Sequence, residues 1–333
     1  MGWDGERDTV YCFDAATGEQ LWSQSYPCDT IVQWPGPRST PTIVDGRVYT
    51  LGQHGQFNAW DVGDGKSVWS IQLAESYNPD VDYGFAWSPL VMGEHLILGC
   101  GRGGLAIRTS DGAYAWGNDG QHGACASPVP FTLNGRVGVA VVVTDSGRNG
   151  VSLIGVDPRD GRRMWREGPW PEKWGAACVD PVIADGKLFM TTAEQHLECA
   201  RFTIGDGKLA LDWSSKELPC YTGGCVQLGD CLYGVNKHGI LKCLDWETGK
   251  LLWAERGFGG HGTLIAVDGT LVVQASKGGD VVVVAAEREG YRELRRIQPF
   301  EGEADTFTAP VLANGRLYCR SYAGEVVCLD VTQ

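Results

Sequence analysis

Short apolar stretches separated by tight-turn signals run along the whole sequence. Many stretches end in an Asp-Gly or Asn-Gly pair, and the next stretch follows at once, as in Arg47–Gly52, Lys187–Thr192 and Arg316–Ser321. Such pairs accept the positive φ angles of a two-residue hairpin turn, so each one predicts an antiparallel strand on either side. The pairs are Asp45-Gly46, Asn134-Gly135, Asp185-Gly186, Asp268-Gly269 and Asn314-Gly315.

Downstream of these hairpins a phrase with the pattern Asp-x-x-x-Gly-x-x-x-Trp recurs. The copies that keep all three residues are DAATGEQLW, DVGDGKSVW, DPRDGRRMW and DWETGKLLW, which begin at Asp14, Asp61, Asp157 and Asp245. Trp22, Trp69 and Trp116 follow one another at intervals of 47 residues. A repeat of about 40–50 residues that holds four short strands is typical of a propeller blade.

The repeats predict an all-β fold, a single β-propeller domain over residues 1–333 built from four-stranded antiparallel blades. The units run approximately over 1–24, 39–73, 87–118, 126–168, 179–216, 223–256, 262–298 and 308–333. The predicted strands are more than seven blades need and fewer than eight blades need. We predict eight blades, of which the first and the last are incomplete, and seven closed blades remain the alternative.

The tryptophan of each phrase falls on the predicted outer strand. There an indole ring can fill the seam between neighbouring blades, and its N–H can donate to a carbonyl. We therefore expect equivalent structural docking positions for Trp22, Trp69, Trp116, Trp165 and Trp253.

The net charge argues against nucleic acid as a partner, and the hydropathy argues against a membrane-spanning helix. The formal net charge of −13 repels phosphate backbones, so we expect no binding to nucleic acid. The longest apolar runs, Val139–Val143 and Val281–Ala286, are far shorter than the roughly 20 residues of a spanning helix, so the chain is not expected to span a membrane.

The cysteines give no metal pattern. Cys220, Cys225 and Cys231 are close in sequence, but their spacing matches no standard zinc site, and we expect no metal. A local disulfide between two of the three remains open.

The phrase, seen best as DAATGEQLW and DWETGKLLW, resembles the tryptophan-docking motif of the pyrroloquinoline-quinone-like (PQQ-like) β-propeller repeat family. This superfamily includes the quinoprotein alcohol dehydrogenases and BamB-like proteins. The resemblance implies eight blades and a periplasmic or exported location. No signal peptide precedes MGWDGERDTVYCFD, so a shortened start is expected.

The resemblance also bears on cofactors. Quinoprotein dehydrogenases of this fold place two adjacent cysteines beside the quinone and hold calcium with carboxylates and an Asn. No two cysteines are adjacent in this sequence. We therefore expect no cofactor, and pyrroloquinoline quinone (PQQ) with calcium belongs only to an enzymatic alternative.

The loops that enter the innermost strand of each blade pass the mouth of the predicted central channel. They are long and rich in polar and aromatic residues, which suits a ligand-binding site. The candidate binding residues are Arg38, Asp82, Trp87, His122, Trp174, Tyr221, His261 and Asp305.

The favoured function is a non-catalytic binding or scaffolding propeller of the bacterial cell envelope, which binds a protein or a small ligand at the channel mouth. No catalytic motif is visible, so an enzyme is not the favoured class. The alternative is an enzyme at the same mouth, including a PQQ-dependent dehydrogenase-like oxidoreductase. In it His122 or His261 would act as acid or base, and Arg38 would hold an anionic substrate.

Overall fold

The strands in the described part of the chain form eight separate antiparallel sheets. The computed structural model describes residues 1–29, 35–73, 75, 84–101, 103–117, 124–144, 150–171, 177–193, 199–302 and 304–332. Six sheets have four strands in sequential order, and the first and last have three each. The predicted all-β propeller of eight blades with incomplete ends is thereby confirmed, and the seven-bladed alternative is excluded. No helix in the described part of the chain is long and apolar enough to cross a membrane.

The first four blades contain strands β1 to β15. Blade 1 comprises β1 (Gly2–Trp3), β2 (Arg7–Phe13) and β3 (Gln20–Pro27). Blade 2 comprises β4 (Thr42–Val44), β5 (Arg47–Leu51), β6 (Gln56–Asp61) and β7 (Ser67–Gln72). Blade 3 comprises β8 (Leu90–Met92), β9 (His95–Leu98), β10 (Leu105–Arg108) and β11 (Tyr114–Gly117). Blade 4 comprises β12 (Val129–Leu133), β13 (Arg136–Thr144), β14 (Gly150–Val156) and β15 (Arg163–Pro171).

The last four blades contain strands β16 to β30. Blade 5 comprises β16 (Val182–Ala184), β17 (Lys187–Thr191), β18 (Cys199–Ile204) and β19 (Leu209–Ser215). Blade 6 comprises β20 (Cys225–Leu228), β21 (Cys231–Val235), β22 (Ile240–Asp245) and β23 (Leu251–Arg256). Blade 7 comprises β24 (Thr263–Val267), β25 (Thr270–Gln274), β26 (Val281–Ala285) and β27 (Glu293–Ile297). Blade 8 comprises β28 (Val311–Ala313), β29 (Arg316–Arg320) and β30 (Val326–Asp330).

Contacts within the chain define two compact units. The first consists of Met1–Ala177 with Gly205–Leu209, and the second consists of Cys178–Ile204 with Ala210–Gln333. Each unit has its own buried apolar clusters. The single-domain assignment stays a prediction.

The predicted hairpin turns are confirmed. Asp45, Asn134, Asp185, Asp268 and Asn314 all have φ between 45° and 51°, and the glycine after each is also at positive φ. The strand β1 was not predicted, because its two residues carry neither an alternating pattern nor a turn pair. It pairs with β2 through Gly2↔Thr9 and Trp3↔Asp8.

Each tryptophan of the predicted docking set faces a small residue across the sheet. The pairs are Cys12↔Trp22, Ala59↔Trp69, Ala106↔Trp116, Gly155↔Trp165 and Cys243↔Trp253. The ladder shifts by one residue immediately beside each pair, which is a β-bulge that turns the ring away from the strand axis.

Most of these rings reach the next blade. Their indole nitrogens donate to a backbone carbonyl of the following turn, as Trp22 Nε1 to Val62 O at 3.0 Å, Trp69 Nε1 to Thr109 O at 2.9 Å, Trp116 Nε1 to Pro158 O at 3.0 Å and Trp253 Nε1 to Glu287 O at 2.8 Å. Under Trp22 lies Gly65 of the next phrase, where a Cβ would come within 2.7 Å of the ring. The phrase glycine therefore has two roles. It adopts the positive φ (+69°) that its own turn requires, and its lack of a side chain leaves room for the ring above it.

Trp165 behaves differently from the rest of the predicted set. Its ring lies over Gly155 of its own sheet, where any Cβ would overlap the indole, and Trp165 Nε1 has no hydrogen-bond partner among the described residues. In blade 5 the ring that reaches the next turn is Trp213, whose Nε1 donates to Trp246 O at 3.0 Å. Arg201 Nη1 donates to the same carbonyl at 2.6 Å.

We predict that the tryptophan contact between blades stabilises the fold substantially. Trp253 is 8% exposed and packs against Tyr233 and Tyr291. Trp253→Ala should lower the free energy of unfolding by about 3–5 kcal/mol, measured by urea denaturation, because it leaves a large cavity. As a control, Trp253→Phe keeps the ring packing and loses the N–H donor, which should cost about 1 kcal/mol. A loss below about 1 kcal/mol for the alanine variant would refute the docking role.

Candidate functional site

Three blade-entry loops of the second unit converge with the hairpins beside them. In a four-stranded meander, the loop that enters the first strand and the hairpin between the second and third strands lie at the same end of the sheet. Backbone hydrogen bonds join the two kinds of segment: Lys237 N to Pro219 O at 2.7 Å, Ser276 N to Phe258 O at 2.8 Å, Thr306 N to Ser276 O at 3.1 Å and Tyr322 N to Asp305 O at 2.7 Å.

This arrangement brings four rings into one row, which we call the aromatic cluster: Tyr221, His261, Phe307 and Tyr322. Tyr221 stacks on His261 with centroids 5.3 Å apart. His261 meets Phe307 edge-on at 5.2 Å, and Phe307 meets Tyr322 edge-on at 5.4 Å. Phe307 is 41% exposed and Tyr322 is 45% exposed, so the end of the row is open to solvent.

His261 is the fixed centre of the row. Its backbone N–H donates to Ser276 Oγ at 3.2 Å, and its Nδ1 lies 3.0 Å from Thr222 Oγ1. Burial, with a smaller contribution from the Lys277 ammonium, lowers the pKa of His261, so the ring is neutral at pH 7. No carboxylate contacts His261 in the described part of the chain; its side-chain partner is a hydroxyl.

An ion pair between Lys277 and Asp305 borders the aromatic cluster. Lys277 Nζ donates to both carboxylate oxygens of Asp305, at 3.0 and 2.9 Å, and both side chains are exposed. The pair of opposite charges adds no net charge beside the four rings, on a chain whose net charge is −13.

The candidate binding residues separate into three groups. Tyr221, His261 and Asp305 meet in the region just described. Asp82, His122 and Trp174 lie outside the described residues. In the first unit, Trp87 is fully buried and packs edge-on against Phe85 at 5.8 Å, and Arg38 is half-buried. Neither therefore presents a freely exposed side chain.

The sequence interpretation missed Phe307, Tyr322, Thr222 and Lys277. Phe307 lies two residues after Asp305 in the same predicted loop. Its closeness to Asp305 in the sequence could have identified it as a candidate. Tyr322 and Lys277 lie in hairpins between second and third strands, whereas the predicted site residues lie in blade-entry loops. These hairpins lie at the same end of the sheet as the blade-entry loops, so this feature of a four-stranded meander could have identified both residues.

The described residues show no cluster of three or more acidic, histidine or cysteine side chains that could hold a metal ion. Calcium, as in a quinone–calcium centre, requires several oxygen ligands around one point.

A groove of about 580 Å³ lies elsewhere, in the first unit. Its lining residues are Met92, Gly93, Glu94, His95, Gly135, Arg136, Val137, Pro158 and Arg159. It is formed at turns between first and second strands and between third and fourth strands, the opposite ends of the blades from the entry loops. His95 Nδ1 is within 3.1 Å of Pro158 O, so this ring nitrogen is already bonded to the protein.

We expect His261 to make stability depend on pH. Its folded pKa lies below the unfolded value of about 6.5. The stability that its neutral form contributes is therefore fully present above about pH 6.5 and is lost as pH falls through the folded pKa. Urea unfolding at about pH 7.5 and about pH 5 should show a larger loss of stability for the wild type than for His261→Gln. Equal losses in the two proteins would contradict this role of His261.

Known proteins share this fold over most of the chain. BamB of Salmonella typhimurium is 24% identical over 351 aligned positions, which cover 87% of this chain and 83% of that protein. The crystal structure of BamB from Moraxella catarrhalis superposes with a TM-score of 0.70 at 18% identity, covering 96% of this chain and 88% of the other. Quinohemoprotein alcohol dehydrogenase from Comamonas testosteroni gives 0.56 at 13% identity, covering 90% and 68%. At such identities the solved structures establish the fold alone.

The family comparison is more specific than the fold comparison. The family model described as outer membrane protein assembly factor BamB matches residues 84–290, which is more than half of the chain. The Asp-Gly-Trp repeats and the eight-bladed fold agree with that match, and the protein belongs to the BamB family of PQQ-like repeat propellers.

Proposed function

We propose that this protein is a non-catalytic docking propeller of the bacterial cell envelope, which binds a partner protein through the aromatic cluster. The observation that carries the proposal is the row of rings from Tyr221 to Tyr322, which is anchored on His261 and open at Phe307 and Tyr322. Exposed aromatic side chains are typical of the residues that dominate the energy of protein interfaces.

The shape of the site favours a protein over a small ligand. Small molecules bind in concave pockets that bury most of their surface. Phe307 and Tyr322 instead stand on a loop and a hairpin with large exposed fractions, and none of the four rings lines the groove of the first unit. A partner that supplies its own apolar side chains would cover these rings.

The family supports the location and the kind of partner. Its description names an outer membrane protein assembly factor, and the BamB relatives carry the same name. We therefore place this protein in the periplasm or another exported compartment, with a protein of the envelope as its partner.

The geometry gives less support to an enzyme. A general base needs a partner that orients it and a proton within reach. The described contacts of the His261 side chain are with a hydroxyl and two aromatic rings, and the Asp305 carboxylate is paired with Lys277. These contacts suit a rigid anchor better than an acid–base pair.

Site-specific photo-cross-linking tests the docking surface. A benzoylphenylalanine at position 307 or 322, in the protein expressed in its own host, should cross-link one defined envelope protein. The matched control is position 114, because Tyr114 is 50% exposed and lies in blade 3 of the other unit. Cross-links at position 114 equal to those at positions 307 and 322 would contradict the proposal.

The same surface should determine the affinity. With the cross-linked protein purified, Phe307→Ala and Tyr322→Ala should each weaken binding by about 30-fold or more, as expected for aromatic anchors. Tyr114→Ala should leave the affinity unchanged. Full binding by a Phe307→Ala/Tyr322→Ala double variant that remains folded would reject the aromatic cluster as the binding surface.

We also predict that the protein takes up no quinone. Incubation with pyrroloquinoline quinone and calcium should give no bound chromophore after gel filtration and no dye-linked oxidation of alcohols. The reasons are the absence of adjacent cysteines in the sequence and of a calcium ligand set among the described residues. Stoichiometric, saturable quinone binding would instead favour the dehydrogenase-like alternative.

A further inference from the structure

Two buried thiols face each other beside the aromatic cluster. Cys220 lies in the loop that enters blade 6, and Cys225 is the first residue of β20. Their Sγ atoms are 3.7 Å apart, and the residues are 1% and 9% exposed. Tyr221 and Thr222, which contact His261, lie between them in the sequence.

The surroundings hold both sulfurs in this position. The backbone N–H of Cys220 donates to Thr191 Oγ1 at 3.1 Å, which fixes the loop against blade 5. Cys225 Sγ packs over Gly234, where a Cβ would come within 2.7 Å of it. Since the sulfurs already touch, a movement of less than about 2 Å would bring them to the disulfide bond length of about 2.05 Å.

The neighbouring thiols are less suited to the same bond. Cys199 Sγ donates to Ser215 O at 3.2 Å, a closer contact than the 3.6 Å between Cys220 Sγ and Leu218 O. Cys231 lies on β21 with its Sγ 3.5 Å from Asp230 Oδ1. The sequence left open which two of Cys220, Cys225 and Cys231 could pair. The geometry favours the pairing of Cys220 with Cys225.

We propose that Cys220 and Cys225 are oxidised to a disulfide that fixes the loop carrying Tyr221. The oxidant is a small or protein disulfide. One cysteine, as its thiolate, attacks the oxidant and releases one thiol; the second cysteine then attacks the mixed disulfide and releases the other. Two cysteine thiols and one disulfide thus become one cystine and two thiols, and both protons pass to the released thiolates.

The burial of the two cysteines determines at which step of folding the disulfide forms. The adjacent Cys220 sulfur and burial raise the pKa of the Cys225 thiol well above its usual range, which disfavours the thiolate in the folded protein. Exchange is therefore fastest before the loop packs. The bond then closes a short ring around Tyr221 and Thr222 and restricts their movement. The cross-link itself does not depend on the proposed binding function.

Differential labelling tests the assignment on the full chain. The reduced, unfolded protein is refolded in a mixture of reduced and oxidised glutathione and blocked with N-ethylmaleimide in urea. It is then reduced and labelled with iodoacetamide. Trypsin releases the peptide Glu217–Lys237, which contains Cys220, Cys225 and Cys231. We expect iodoacetamide on Cys220 and Cys225 and N-ethylmaleimide on Cys231, which serves as the internal control.

Matched variants complete the test. Cys225→Ser should expose Cys220 to the first reagent, and Cys231→Ser should keep the cross-link. A reductant should lower the melting temperature by about 2–5 °C in the wild type and in Cys231→Ser, with no change in Cys225→Ser. N-ethylmaleimide on Cys220 and Cys225 of the wild type, or a bond from either to Cys199 or Cys231, would overturn the proposal. The wild-type labelling decides the question even if Cys225→Ser does not fold.

Discussion

Four tryptophans each join their blade to the next one by lying on the phrase glycine of the following blade and donating the indole N–H to a carbonyl in the same turn: Trp22, Trp69, Trp116 and Trp213. The arrangement depends on a turn whose backbone N–H groups already have hydrogen-bond partners within the turn. In the turn after β22, Asp245 Oδ1 accepts the backbone N–H and the hydroxyl of Thr248, at 2.7 and 2.6 Å. The Trp246 carbonyl therefore remains available to Trp213 of the preceding blade. A glycine at positive φ completes the flat surface on which that ring lies.

The candidate site depends on the same contact. The blade-entry loops of the second unit begin a few residues after a docked ring: Trp213 precedes the loop with Tyr221, and Trp253 precedes the loop with His261. A fixed outer strand determines where each loop starts, and the backbone bonds to neighbouring hairpins determine where it ends. The scaffold consequently holds the aromatic cluster in place. The conformational entropy that these side chains and loops lose when a partner binds is therefore smaller.

Much of this could be predicted from the sequence because the repeat encodes it. The Asp-Gly and Asn-Gly pairs identified the hairpins, and the phrase identified the blades. The number of blades was predicted from the repeat count together with the family resemblance, with seven as the alternative. Trp165 departs because the residue opposite it is Gly155, which leaves room for the ring to lie on its own sheet. The site was predicted only in part: Tyr221, His261 and Asp305 lie in entry loops, whereas Tyr322 reaches the cluster from a hairpin that only the folded meander brings near.

The central claim is that the aromatic cluster is the surface that a partner covers. A hydrogen-exchange footprint of the protein saturated with the envelope protein captured at position 322 tests it directly. The account predicts slower exchange in residues 219–224, 257–262, 304–308 and 321–325, with no change around the groove at 92–95 and 135–137. Protection at the groove, with none in the loops of the aromatic cluster, would contradict it.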